Sequence, residues 1–223
     1  LRLKGWACNS GITPWDFPPG RGNWGGDHGA PSAVAVDDKH VYLGWSGAEA
    51  GKALLACNFD GDVQWNNTNG GIGGALAVAV DGDTVYALNY KHIYRVHRKN
   101  GIYTPWKGSE GAELPMAQIF PGYKHSKSQH MTFAAGGGSL FLSSREHNEV
   151  TALDGSTGAI LKRWSILQPL QLAYRPGGQL LIVTSEALLA LDPEGENPTP
   201  LISGLVNARA VAAGGAGGGM RFK

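Results

Sequence analysis

Short apolar segments alternate with polar turns along the chain, and the same arrangement returns at intervals of about 40 residues. Each unit begins with a strongly apolar strand, followed by an Asp- or Gly-containing turn and a second apolar strand. The first strands of five such units begin at Ala33, Ala77, Thr132, Leu172 and Ala210. Alternation with a period of two indicates β-strands, and no helical pattern of about 3.6 residues accompanies it.

The first four units then continue with a second hairpin, whose turn carries Asp or Asn together with Gly. The four copies of this hairpin span residues 55–65, 94–106, 149–164 and 188–201. Three of them close on a tryptophan, at Trp65, Trp106 and Trp164. The fourth has Pro200 and Leu201 there instead. A large, flat, apolar side chain at one recurring position predicts that each of these tryptophans packs on the neighbouring unit.

Four strands in each unit predict an all-β protein, a single β-propeller domain over residues 1–223 with about five four-stranded blades. The predicted blades cover residues 32–65, 75–106, 130–164, 170–202, and 208–223 together with 1–15. The fifth blade joins the two ends of the chain, which closes the ring and removes two open sheet edges. Alternatively, the chain is a fragment of a six- to eight-bladed ring and therefore part of a longer protein.

Two stretches resemble known repeat families. Residues 152–164, ALDGSTGAILKRW, resemble the repeat of quinoprotein-like (PQQ-like) propellers, and residues 29–43, GAPSAVAVDDKHVYL, resemble the opening strands of NHL-type blades. The resemblance covers residues 32–222 and implies a propeller. It also implies that a quinone-dependent dehydrogenase would have eight blades, a calcium-bound quinone and often adjacent cysteines. This chain has about five units and no Cys-Cys pair, so we predict no cofactor.

Composition narrows the class of partner. A formal net charge of +1 gives no overall field that would attract nucleic acid or an anionic membrane, so neither is predicted as a partner. No apolar run approaches the roughly 20 residues of a membrane span. The 34 glycines and the 17% of charged residues suit many short turns. Whether Cys8 and Cys57 pair is left open, because two cysteines do not by themselves establish an oxidising compartment.

The loops separate into two classes. In a propeller, the blade-to-blade connections and the middle turn of each blade open on one face, and the other two turns open on the opposite face. The opposite face receives Asp, Asn and Gly in ordinary turns, which we interpret as structural. The first face receives aromatic, basic and acidic side chains and five of the seven histidines. The candidate ligand-binding residues on it are Arg21, Trp24, Asp27, His28, Trp45, Glu49, Tyr90, Lys91, His125, His130, Arg145 and His147.

Such a face predicts a recognition propeller that binds a carbohydrate, peptide or protein, because aromatic rings stack on ligands while polar groups surround them. We expect it to be secreted or surface-exposed, extracellular or periplasmic, and bacterial in style. Two alternatives stay open: a catalytic propeller of hydrolase or lyase type that uses the same face, and an assembly scaffold for protein partners. Asp27, His28, His125 and His130 have no fixed ligand spacing, so no metal is predicted.

Overall fold

The computed structural model of the protein describes residues 31–45, 54–67, 74–124, 131–206 and 208. These residues form sixteen β-strands and one short helix, and the strands are arranged as four antiparallel sheets of four strands each. The predicted all-β propeller with four-stranded blades is thereby confirmed. The described residues form four of the five predicted blades. The predicted fifth blade, at 208–223 with 1–15, lies outside the described residues except for Ala208.

The first two blades lie in the first half of the chain. Blade 1 consists of β1 (Pro31–Val36), β2 (His40–Trp45), β3 (Leu54–Asn58) and β4 (Val63–Asn66). Blade 2 consists of β5 (Ala77–Asp81), β6 (Thr84–Leu88), β7 (His92–His97) and β8 (Glu113–Pro115). Helix α1 (Met116–Ile119) follows β8 directly.

Two further blades follow. Blade 3 consists of β9 (Met131–Gly136), β10 (Ser139–Ser144), β11 (Glu149–Asp154) and β12 (Ile160–Ser165). Blade 4 consists of β13 (Gln171–Arg175), β14 (Gln179–Val183), β15 (Ala187–Leu191) and β16 (Thr199–Ser203). In every blade the strands are hydrogen-bonded in chain order, from the innermost strand to the outermost.

The innermost strands of the four blades stand side by side around a central channel. Strand β5 packs beside both β1 and β9, and β13 packs beside β9. The cavity between them has a volume of about 690 Å³, and alanines and valines such as Ala77, Val78 and Ala134 form most of its wall. Small apolar side chains suit these strands because neighbouring blades approach one another most closely near the axis.

The hydrophobic core consists of layers between adjacent blades, and a further cluster covers the far face of blade 4. Successive residues of a strand point to opposite faces of its sheet, so each strand contributes to two layers. In β6, Val85 and Ala87 belong to the layer between blades 1 and 2, whereas Tyr86 and Leu88 belong to the layer between blades 2 and 3. The alternation of side chains along each strand therefore gives every inner blade two apolar faces, and each face packs against a neighbouring blade.

The recurring tryptophans link each blade to the next one. Trp65 of blade 1 donates its indole N–H to the backbone carbonyl of Arg98 in blade 2, at 2.6 Å, and Trp164 of blade 3 donates to the carbonyl of Gly195 in blade 4, at 3.0 Å. Trp106 donates to Ala112 within its own loop instead, but it is buried in the layer between blades 2 and 3. The predicted packing of the tryptophans on neighbouring blades is confirmed.

The outer strand of blade 2 differs from the predicted hairpin at residues 94–106. Only an isolated bridge, between Val96 and Tyr103, forms there, and the outer strand β8 lies later in the chain, at Glu113–Pro115. Pro105 cannot donate to a strand ladder, which disfavours a continuous strand up to Trp106. The intervening loop is held by other bonds, including one from the Lys107 N–H to the Ser156 carbonyl of blade 3 at 2.8 Å.

Candidate functional site

The strand order places the turns of every blade on two opposite faces. We call the first of these the turn face, and it carries the first and third turns of each blade, including residues 37–39, 58–62, 98–101 and 154–159. The second is the rim face, and it carries the middle turns at 89–91, 144–148 and 184–186 and the blade-to-blade connections, of which 74–76, 116–124 and 166–170 are described.

Polar residues of the turn face bond to their own turns. Asn58 Oδ1 accepts hydrogen bonds from the N–H groups of Asp60 and Asp62, at 3.0 and 2.8 Å. Asp154 Oδ1 accepts from both the hydroxyl and the N–H of Ser156 and of Thr157, at 2.7 to 3.0 Å. These bonds, with the Ser156 hydroxyl contributing most, lower the pKa of Asp154 to about 2. The interpretation of these residues as structural is consistent with this geometry.

Arg98 joins blades 1 and 2 on the turn face. Its guanidinium lies 3.1 Å from Asp37 Oδ2, and Asp38 and Asp83 follow at 3.6 and 3.8 Å. Asp37 also accepts a hydrogen bond of 2.7 Å from the Tyr42 hydroxyl. Burial opposes ionisation of Asp37, but the bonds from Tyr42 and from two backbone N–H groups, together with Arg98, hold the pKa of this carboxyl below its usual value. Burial and the bond to Asp37 raise the pKa of Tyr42.

The middle turn of blade 2 presents Tyr90 and Lys91 on the rim face. Asn89 Oδ1 accepts hydrogen bonds from the N–H groups of Lys91 and His92, both at 2.7 Å, and these bonds set the shape of the turn. The side chain of Lys91 is exposed and that of Tyr90 is half-buried. Lys91 forms no ion pair with any described residue. The turn therefore presents an exposed cation beside a half-buried aromatic ring.

The middle turn of blade 3 presents Arg145 and His147 in the equivalent position. His147 Nδ1 lies 2.7 Å from Ser144 Oγ, which also accepts a hydrogen bond from the His147 N–H at 3.3 Å. Ser144 is only 2% exposed. Both bonds join the two ends of the same turn, so the Ser–His pair stabilises the turn. Arg145 is exposed and, among the described residues, forms no ion pair.

The segment that begins with α1 connects these two turns. The Met116 N–H donates to the Lys91 carbonyl at 2.8 Å. Four residues later, the Phe120 ring stacks on His147 with their centroids 4.8 Å apart. The guanidinium of Arg163 lies 5.6 Å from the centre of the Phe120 ring. The middle turns of blades 2 and 3 and the connection between them consequently form one continuous surface on the rim face.

The predicted site residues divide into described and undescribed positions. The described ones are Trp45 at the end of β2, Tyr90 and Lys91, and Arg145 and His147. The structure places the last four in equivalent turns of adjacent blades, joined through residues 116–120. The other predicted residues lie outside the described residues: Arg21, Trp24, Asp27, His28, Glu49, His125 and His130.

Sequence reasoning missed the part of the rim face that belongs to blade 4 and to the connection before it. Leu167 is 75% exposed there, and Ser185 and Glu186 occupy the turn that corresponds to Tyr90–Lys91 in blade 2. The repeat itself carried the signal, because the middle turn of every blade opens on the same face. Serine and glutamate are common surface residues, however, so Ser185 and Glu186 do not stand out in the sequence. Nothing in the sequence marks Leu167 as exposed.

Metal and thiol chemistry find little support in the described part of the chain. No group of three or more His, Cys, Asp or Glu residues is placed there to hold a metal ion. Cys57 is a buried free thiol in β3, and burial raises its pKa to about 12. Its possible partner Cys8 lies outside the described residues. The one helix of the described ranges, α1, is too short to cross a bilayer.

Several solved structures resemble this arrangement of blades. BamB from Moraxella catarrhalis is 16% identical, with a TM-score of 0.51 over 78% of this chain and 50% of BamB. A nidogen/laminin complex is 16% identical, with a TM-score of 0.57 over 84% of this chain and 70% of the matched chain. The computationally designed protein Ika8 is 12% identical, with a TM-score of 0.55 over 81% and 52% of the two chains.

These similarities support a propeller built from repeated four-stranded blades. At identities of 12 to 16%, they concern the fold alone. The chain spans about half the length of BamB and of Ika8. No protein-family model matches the sequence, and no curated protein matches it. Membership of the quinoprotein-like or NHL-type families therefore stays a prediction.

Proposed function

We propose that this chain is a recognition propeller that binds a partner protein through its rim face. The observation that carries the proposal is the grouping of basic and aromatic side chains from two adjacent blades on the rim face. Lys91 and Arg145 are exposed there in equivalent turns, and Tyr90, His147 and Phe120 lie beside them around residues 116–120. Exposed basic and aromatic groups held by rigid turns are typical of protein-binding surfaces.

Two further points support the proposal. One of the similar structures is a nidogen/laminin complex, so a chain of this fold occurs in a complex of two proteins. In addition, residues 116–120 contact both middle turns, and such contacts, made before binding, reduce the entropy lost on binding. We propose that Trp45 and the predicted residues outside the described ranges extend this surface: Arg21, Trp24, Asp27, His28, Glu49, His125 and His130.

Charge reversal on the two faces tests the proposal. The rim variant carries Lys91→Glu and Arg145→Glu, and the matched control carries Lys39→Glu and Lys99→Glu on the turn face, where both lysines are also exposed. Wild type and both variants are immobilised, and the proteins that each retains from an extract of the source cells are quantified. Melting temperatures of all three establish that the fold is intact.

We expect a set of proteins that wild type and the control retain equally and that the rim variant loses by about tenfold or more. Equal retention by all three, or equal loss in both variants, would show that the rim face is not the binding surface. Retention of polysaccharides in place of proteins would favour the carbohydrate alternative and overturn the proposal of a protein partner.

We also propose that the protein acts outside the cytoplasm, in an extracellular or periplasmic location. A secreted or periplasmic partner protein would be the natural ligand of such a surface. Fractionation of cells that express the full-length reading frame tests this, because detection only in the cytoplasmic fraction contradicts it.

A further inference from the structure

A groove runs between blades 3 and 4 at the rim face. It has a volume of about 480 Å³, and its lining includes Ser165, Leu167, Gln168, Ser185, Glu186 and Leu189. This volume is within the range of roughly 300–1,000 Å³ that ligand sites in proteins occupy. The lining mixes apolar side chains with hydroxyl, amide and carboxylate groups, as sites for peptide segments do.

Leu167 is held outward at the edge of this groove by bonds on both of its sides. The N–H of Ile166 donates to the Asn148 carbonyl, and the N–H of Gln168 donates to Asn148 Oδ1, both at 2.9 Å. Ile166 is buried and anchors the segment, whereas Leu167 is 75% exposed. These two bonds therefore hold the side chain of Leu167 in solvent, where burial within the chain does not stabilise it.

Both residues joined by the second of these bonds have positive φ. Asn148 and Gln168 have φ values of 51° and 45°, and among the described residues they are the non-glycine positions with positive φ. Asparagine adopts this conformation readily in turns, whereas glutamine seldom does. The unusual backbone conformation is therefore that of Gln168, directly after Leu167.

The opposite wall of the groove carries the exposed carboxylate of Glu186. Glu186 is exposed and forms no ion pair with a described residue. Its backbone is held at both ends, because its N–H donates to Thr184 Oγ1 at 3.3 Å and its carbonyl accepts from the Leu205 N–H at 2.9 Å. The other three carboxylates of blade 4 and its one basic residue, Arg175, all lie on the turn face, so Glu186 is the charged group of blade 4 at this groove. A cation from a partner is the complementary group.

We propose that this groove binds an extended segment of a partner protein that places an apolar side chain between Leu167 and Leu189 and a Lys or Arg beside Glu186. The proposal rests on the function proposed above and specifies a second contact on the same face. The leucines supply apolar contact area, and the carboxylate selects the neighbouring basic residue, so the groove prefers a short apolar-basic motif.

A displayed library of random linear peptides provides the probe. Peptides are selected on the wild-type protein, and binding of the enriched peptides is then measured by fluorescence anisotropy. The variants compared are Glu186→Lys, Leu167→Asp and the control Glu194→Lys, which makes the same charge change at an exposed position on the turn face of blade 4. The melting temperature of each variant is recorded alongside.

We expect the enriched peptides to share an apolar residue next to Lys or Arg. Leu167→Asp should weaken their binding by about tenfold and Glu186→Lys by about threefold to tenfold, and Glu194→Lys should leave it unchanged. Absence of enrichment, enrichment without the basic residue, or equal binding to wild type and to Glu186→Lys overturns the inference. The function proposed above is judged separately, because loss of protein partners in the Lys91/Arg145 variant does not depend on this groove.

Discussion

The indole N–H of Trp65 donates to the backbone carbonyl of Arg98 in the next blade, at 2.6 Å. Beneath the same ring lies Gly101, and Asn67 Nδ2 donates to the Gly101 carbonyl at 2.9 Å. Trp164 repeats the arrangement with Gly195 between blades 3 and 4. The outer strand of one blade is thus fastened to the third turn of the next, which holds the wide outer part of the blades together.

Trp65→Phe should lower the free energy of unfolding by about 1–3 kcal/mol, because it keeps most of the ring contact but leaves the Arg98 carbonyl without its donor. Trp65→Ala should cost more, about 3–5 kcal/mol, because a cavity opens between blades 1 and 2. Urea denaturation followed by circular dichroism measures both. A Phe variant as stable as wild type would show that the hydrogen bond contributes nothing.

Gly101→Ala should destabilise the protein more than Gly82→Ala. Both glycines have positive φ, at 67° and 53°, so both substitutions carry a backbone cost of about 1 kcal/mol. At Gly101, however, an added Cβ lies 2.4 Å from the Trp65 ring, whereas at Gly82 no atom lies within 4 Å. The extra cost at Gly101 is about 1–3 kcal/mol. Equal midpoints of unfolding for the two variants would contradict the close approach of Trp65.

Arg98→Met should lower stability by about 1–3 kcal/mol, because Asp37, whose side chain is 11% exposed, loses its closest cation. Lys162→Met is the matched control. Lys162 pairs with Glu196, which is 85% exposed, so this loss should stay below about 1 kcal/mol. Salt should weaken the exposed Lys162–Glu196 pair first. The difference in stability between wild type and Lys162→Met should therefore shrink at a lower salt concentration than the difference between wild type and Arg98→Met. Thermal unfolding at low and high salt distinguishes these outcomes.

Asp154 makes stability depend on pH in the acidic range. Its pKa falls from the ordinary 3.8 to about 2 in the folded protein, so the folded state favours the ionised form. The stabilisation is complete above about pH 4 and is lost as the pH falls through 2. Asp154→Ala should therefore be destabilising at neutral pH, and its difference from wild type should shrink below pH 4. A difference that is constant from pH 7 to 2 contradicts this.

The sequence predicts the blades well where the signal is local. In β1, β5, β9 and β13 the apolar residues recur with short turns between them, and β-strand geometry follows from that pattern. The outer strand of blade 2 was predicted at the wrong place because Trp106 suggested a continuous hairpin. Its position depends on Pro105 and on the bond between Lys107 and Ser156 of another blade, which no local pattern reveals.

The candidate site was predictable only in part. Placement of Tyr90, Lys91, Arg145 and His147 on one face follows from strand order, which the repeat implies. The groups that each of these side chains contacts do not follow from the strand order. His147 turned out to stack on Phe120 and to bond to Ser144, and the groove beside Leu167 depends on a connection that approaches blade 4 in space.

Periodicity alone specifies that this chain forms strands, that four strands make a blade and that alternate turns share a face, since each of these depends on residues close together in the sequence. Contacts between blades decide which groups far apart in the sequence meet. Trp65 meets Arg98 and the Gly138 N–H meets Asp81, across gaps of 33 and 57 residues. Which groups meet at such separations is set by how whole sheets pack around the axis, and packing of that kind leaves no regular spacing in a sequence.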